Sequence, residues 1–192
     1  MRTEDRVTLE EMLAARERRA ENQRILIENF GKPVISFTLN TPGPVKVSAR
    51  LEKCFDDGVA LIEELFSLQG ITILMSQIYK PKTGCEYYGV ADCSAADAKL
   101  LLARAEEYAP LGRLYDMDVI DESGCPVSRS ELGLPERRCL ICGRPAHECS
   151  RSRRHSIEEL TARMKEMIDT EENRENDSWK EVLYTSLICR GA

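Results

Sequence analysis

Gly112-Arg113-Leu114-Tyr115-Asp116-Met117-Asp118-Val119-Ile120 is the stretch on which the reading of this chain turns. Residues 114–120 predict a strand: a short apolar and aromatic run, preceded by Pro110 and Gly112 and followed by the turn residues Glu122-Ser123-Gly124. Strand residues two apart share a face, so Asp116 and Asp118 project side by side while Met117 and Val119 lie opposite. Two carboxylates so close repel one another unless a cation sits between them. An all-oxygen donor set suits Mg²⁺ (or Mn²⁺), which completes its shell with water and substrate phosphates. The pair points to metal-assisted displacement at phosphorus, with Gly112 letting a phosphate approach and Arg113 supplying positive charge. On spacing alone, two solvent-facing acids on an edge strand remain the plain alternative.

Outward from this strand the chain alternates helices and strands. Thr8 with Glu11 has the form of a capping box opening a charged helix to about Phe30, which Gly31 ends and Pro33 keeps from restarting. Residues 34–39 read as a strand and Thr41-Pro42-Gly43-Pro44 as a rigid turn. Ser48 caps a second helix, with Leu51, Phe55, Val59, Ile62 and Leu65 at helical spacing. Residues 71–79 and 86–91 form a strand pair across Lys80-Pro81-Lys82-Thr83-Gly84, and Ser94 caps a third helix. A short strand near 126–128, a Cys- and Arg-rich stretch at 137–155 and a helix capped by Ser156 follow. The expectation is an α+β (or α/β) domain on a single mixed sheet, spanning residues 1–170, with 171–192 a polar linker and a short C-terminal segment that docks back.

Bulk properties narrow the function classes. A net charge of −6 over 192 residues gives no global support for binding nucleic acid or a membrane surface. No run approaches the roughly 18 apolar residues of a membrane span, and Met1-Arg2-Thr3-Glu4-Asp5 has no apolar signal region. A cytoplasmic protein is expected, whose eight cysteines are free thiols or metal ligands.

Cys139-Leu140-Ile141-Cys142, then Cys149 and His155, give the spacing C-x₂-C-x₆-C-x₅-H. Such thiolate and imidazole ligands suit a tetrahedral structural Zn²⁺; reduced cysteines packed as small hydrophobes are the alternative. Residues 137–155 also hold six arginines against Glu148 alone, a net +5 in an acidic chain. Such an island attracts a polyphosphate or an acidic partner, and Arg151, Arg153 and Arg154 sit just before a helix start.

Three segments in order carry a resemblance: Ser36-Phe37-Thr38-Leu39-Asn40-Thr41-Pro42-Gly43-Pro44-Val45-Lys46, then Pro110-Leu111 with the strand quoted above, then Arg137-Arg138-Cys139-Leu140-Ile141-Cys142 through Cys149-Ser150-Arg151. Over roughly residues 8–170 the chain resembles the apo-citrate lyase phosphoribosyl-dephospho-CoA transferases, the holo-acyl-carrier-protein synthases of citrate lyase. The resemblance implies transfer from 2′-(5″-triphosphoribosyl)-3′-dephospho-CoA to a serine of the acyl-carrier (gamma) subunit, with diphosphate leaving. It implies Asp116 and Asp118 as Mg²⁺ ligands, Gly112 and Arg113 beside the triphosphate, and Lys46 as a phosphate contact. Arg151 and His155 become candidates for the diphosphate, unless a zinc site claims His155. A looser similarity to nucleotidyltransferases of the DNA polymerase β type implies a third acid, with Asp92, Asp121 and Glu131 as candidates. Two rival readings are a related transferase serving another carrier, such as that of malonate decarboxylase, and a non-catalytic zinc-knuckle protein binding an acidic partner.

Overall fold

The computed structural model describes residues 6–174 and 176–188. Helix α1 spans Leu9–Phe30, opened by the Thr8/Glu11 capping box and closed by Gly31 in the left-handed conformation that glycine adopts without penalty. Strand β1 (Val34–Leu39) leads through the Pro-Gly-Pro loop to α2 (Ala49–Leu68), capped by Ser48. Strands β2 (Ile73–Tyr79) and β3 (Glu86–Ala91) form the expected hairpin. Helix α3 (Ala95–Tyr108), capped by Ser94, precedes β4 (Tyr115–Ile120). Helices α4 (Ala146–Arg151), α5 (Ile157–Glu172) and α6 (Ser178–Ile188) complete the chain.

The four strands form one sheet in the order β2-β3-β1-β4, so the α+β expectation holds. Every neighbouring pair is antiparallel, which corrects the mixed sheet expected from sequence. The reason lies in where the helical crossovers land. Helix α2 carries the chain past one strand position, so β1 and β2 run the same way but β3 inserts between them. Helix α3 does the same for β3 and β4, with β1 in the gap. This is the β-α-β-β-α-β connectivity of the split, ferredoxin-like arrangement, in which no two parallel strands touch. The strand expected near 126–128 reduces to one bridge, Ile120 to Pro126, closing the turn after β4.

One sheet face packs the main core. Ile35, Phe37, Tyr87, Met117 and Val119 lie there with Phe55, Ile62, Leu65 and Phe66 of α2 and Leu102 of α3. The opposite face carries a smaller cluster of Val34, Tyr88 and Val90, covered by Leu26 of α1. Helix α1 lies over β1 and β3, while on that face of β4 the Asp118 side chain is 58% exposed. The exposure of Asp118 is therefore a consequence of coverage: the helix that roofs this face lies over β1 and β3 rather than over the strand bearing the two acids.

Helix α5 extends past residue 170 to Glu172, and α6 packs against the main core. Leu183 is fully buried in the main core, and Lys180 and Tyr184 both bond Glu64 of α2. Among the described residues, no helix is long and apolar enough to cross a membrane. Leu183→Ala should lower unfolding stability by about 2–5 kcal/mol through the cavity it leaves. A urea transition unchanged by this substitution would place α6 outside the cooperative fold.

Candidate active site

Strand β4 is a sheet edge, and one row of its backbone groups has no ladder partner. Helix α3 supplies the missing partners with charged side chains. The Met117 N–H donates to Glu106 Oε1 at 2.9 Å, and Lys99 Nζ donates to the Met117 carbonyl at 2.8 Å. Glu106 and Lys99 are 4% and 5% exposed, depths at which ionised groups need such partners. Glu106 also accepts from Arg129, and Lys99 lies 3.5 Å from Asp118 Oδ1.

Met117 and Val119 face the core as expected, so Asp116 and Asp118 share the other face. Arg137 donates to Asp116 Oδ1 at 2.7 Å and to the Tyr115 carbonyl, fixing the first acid. Asp118 titrates above the ordinary carboxylate range. Desolvation against the sheet is the main cause and the neighbouring Asp116 charge the second, with Lys99 opposing both. The repulsion expected from spacing is thus present, and a cation between the carboxylates would relieve it.

One cavity is lined by Asp116, and a second by its partner Arg137. The smaller, about 180 Å³, lies between α1 and the end of β1 and is lined by Arg16, Arg19, Asn40, Lys46 and Asp116. Lys46 donates to the Thr41 carbonyl, folding the Pro-Gly-Pro loop back on itself. The larger, about 690 Å³, is lined by Arg113, Arg137, Arg138 and Arg153 together with Asn40, Cys149 and His155. Burial, then the charge of Arg137, pulls Arg113 below its ordinary value. Asn40 borders both cavities, and the Asp116–Arg137 pair has one partner in each.

The remaining residues singled out in the sequence separate. Gly112 has a packing role here: a Cβ would stand 2.5 Å from the Ala105 carbonyl oxygen and 2.6 Å from that of Glu106, at the end of α3. Arg151 is exposed on α4 and is not among the residues lining the larger cavity. Asp92 pairs with Lys32, Asp121 accepts bonds within its own turn, and Glu131 accepts from the Ser128 N–H. Level with Asp116 in the sheet register, across Thr38, stands buried Glu86 instead, held by Arg18, Arg19 and the Tyr88 hydroxyl.

Cys139, Cys142, Cys149 and His155 come together, their candidate ligand atoms all within 4.8 Å of one another. Ligands about 2.0–2.3 Å from an ion at a tetrahedron's centre stand roughly 3.3–3.8 Å apart, and Cys142 Sγ lies 3.5 Å from Cys149 Sγ. Gly143, at φ 69°, makes the knuckle's turn. The Arg144 backbone N–H, followed by His155, pulls the Cys142 thiol down to about 6, while burial pushes Cys149 up to about 11. His155 Nε2 is shielded from solvent with no hydrogen bond of ordinary geometry, which suits a nitrogen that ligates a metal.

A profile for apo-citrate lyase phosphoribosyl-dephospho-CoA transferases (CitX) matches residues 7–171. The chain belongs to this family. It is 41% identical over 162 residues to a probable transferase of that name from Vibrio cholerae, covering 84% of this chain and 91% of that one. A Streptococcus pyogenes relative of the same name is 35% identical over 176 residues, covering 90% and 91% of the two chains. Protein CitXG of Haemophilus influenzae is 34% identical over 183 residues, 95% of this chain and 39% of that longer one.

Several residues that shape this CitX-family site escaped the sequence reading. Lys99 and Glu106 fall seven apart on α3, on the stripe that also carries Leu102, and a charge inside an apolar stripe was their available signal. Arg16 and Arg19 of α1 sit in a helix charged all round, where nothing local separates a site arginine from a solvated one.

The raised Asp118 pKa carries a stability consequence. An acid that binds its proton more tightly folded than unfolded makes stability fall as pH rises through its folded pKa. In metal-free buffer Asp118→Asn should therefore melt no lower than wild type at about pH 7. Any advantage should shrink as the pH falls toward about 3, below the ordinary aspartate pKa, where the wild-type carboxyl takes up its proton in both folded and unfolded chains. Thermal melts at the two pH values check this, and a sharply lower Tm at neutral pH would make Asp118 structural.

Proposed function

We propose that this site transfers the 2′-(5″-phosphoribosyl)-3′-dephospho-CoA group from its 5″-triphosphate precursor to a serine of the citrate lyase acyl-carrier (gamma) subunit. One observation carries the reading beyond family membership: Asp116 and Asp118 stand side by side, with Asp116 on the wall of one cavity lined by cationic side chains and its partner Arg137 on the wall of another. In the reaction the serine oxygen bonds the α-phosphorus and the bond to the bridging oxygen breaks. That oxygen keeps the electron pair and leaves with diphosphate, and the serine proton is released.

Asp116 and Asp118 fit Mg²⁺ (or Mn²⁺), since they offer oxygens alone and their mutual repulsion favours a cation. Such an ion supplies positive charge to phosphate oxygens. The chain's own residues do the rest: Arg137 holds Asp116 in place, Arg113 and Lys46 bring charge to the polyphosphate, and Lys99 steadies Asp118. Cys139, Cys142, Cys149 and His155 fit a structural Zn²⁺, which would lock the wall of the larger cavity. His155 would then serve zinc rather than diphosphate. Reduced cysteines and the acyl-carrier acceptor accord with a cytoplasmic setting. Family membership favours the transferase over a non-catalytic zinc-knuckle protein.

Purified carrier, the triphosphate precursor and Mg²⁺ test the reaction by intact mass. Wild type should add one prosthetic group, and Asp116→Asn or Asp118→Asn should slow the addition at least about a hundredfold with folding intact. No mass gain with wild type would refute the reading, and gain only on a malonate decarboxylase carrier would reassign the acceptor. Elemental analysis should find about one zinc per chain, lost in Cys142→Ser; zinc-free wild type of unchanged stability would remove the metal from the account.

A further inference from the structure

The resemblance pointed the departing diphosphate toward Arg151 and His155, yet the geometry favours the opposite side of the acids. His155 is drawn into the cysteine cluster, and Arg151 lies off the larger cavity. Asp116 lines the smaller cavity beneath α1 and not the larger one.

The charge in that smaller cavity is unbalanced. Among the described residues, Lys46 has the Thr41 carbonyl as partner and no carboxylate, and Arg16 forms no ion pair. Arg19 reaches Glu86 only at 3.7 Å and shares that carboxylate with Arg18. Burial, and then the charge of Arg16, work against protonation of Lys46, so the two cations sit close enough to oppose each other. Crowded cations without counter-charges are held at a cost that an entering anion removes. In the larger cavity Arg137 is paired with Asp116 and Glu106, while Arg113, Arg138 and Arg153 meet no carboxylate among the described residues; what sets the smaller cavity apart is that Asp116 itself stands on its wall.

We propose that the cavity beneath α1, with Arg16, Arg19 and Lys46 on its walls, seats the outer two phosphates of the triphosphate and therefore the departing diphosphate. This placement rests on the transfer reaction above and adds to it the α1 arginines and a direction: diphosphate leaves on the α1 side, with the larger cavity left for the remainder of the substrate. Cleavage at the α-phosphorus then occurs beside Asp116, where the two cavities meet at Asn40.

Titration calorimetry of the full chain with inorganic diphosphate, Mg²⁺ being present throughout, tests the placement. Arg16→Gln and Lys46→Gln should each weaken binding about 10–100-fold, the worth of a hydrogen bond to a charged group. Arg16→Lys should retain part of the affinity, and Arg151→Gln should keep it within about twofold. Circular dichroism and melting must match wild type, which the exposure of Arg16 on α1 favours. Loss of affinity in Arg151→Gln with none in the other two variants would overturn the placement, as would a wild type that binds no diphosphate. Carrier modification measured separately keeps the two claims apart. A wild type that modifies the carrier, yet binds diphosphate independently of Arg16 and Lys46, defeats this placement alone.

Discussion

The buried bonds from Glu106 and Lys99 to the Met117 backbone are the constraint on which the rest of the site depends. An edge strand must either meet solvent or find partners for its outer row of N–H and C=O groups. Here two ionised side chains seven residues apart on α3 take one group each. Removing one member of such a buried polar arrangement costs about 3–5 kcal/mol, because the others are left desolvated and unpaired. The register of β4 against α3 is held accordingly, and with it the positions of Asp116 and Asp118 on the outward face.

The same side chains set the electrostatics of the acids. Lys99 bonds the strand and still lies near Asp118, while Glu106 holds Arg129 and stands 3.9 Å from Arg137, the partner of Asp116. The buried charges of α3 and the two acids of β4 are thus parts of one network, and in a poorly solvated setting such networks act as units. A substitution in α3 that never touches substrate should be felt at the acids. Gly112 belongs to the same requirement, since only a residue without Cβ lets the turn into β4 press against the last carbonyls of α3.

Local chemistry was legible in the sequence and long-range assembly was not. The caps at Thr8, Ser48, Ser94 and Ser156 announce themselves because a capping side chain bonds a backbone N–H three residues away. The facing of Asp116 and Asp118, and the convergence of His155 on three cysteines, followed from strand period and ligand spacing. The antiparallel order did not, because a helical crossover looks the same whether its strand lands beside its predecessor or one position further on. The short helix α4 was hidden in a segment read for its charges. Arg16 and Arg19 gain meaning only when α1 is laid across the sheet toward the Pro-Gly-Pro loop, more than twenty residues away in sequence.

On the proposed function, Asp116 and Asp118 together hold a divalent cation where phosphate chemistry takes place. Paramagnetic titration of Mn²⁺ in the presence of inorganic tripolyphosphate measures that most directly. Saturable binding to wild type is expected, largely lost in both Asp116→Asn and Asp118→Asn and recovered by neither at moderate metal excess. Equal Mn²⁺ binding by wild type and both variants would contradict it.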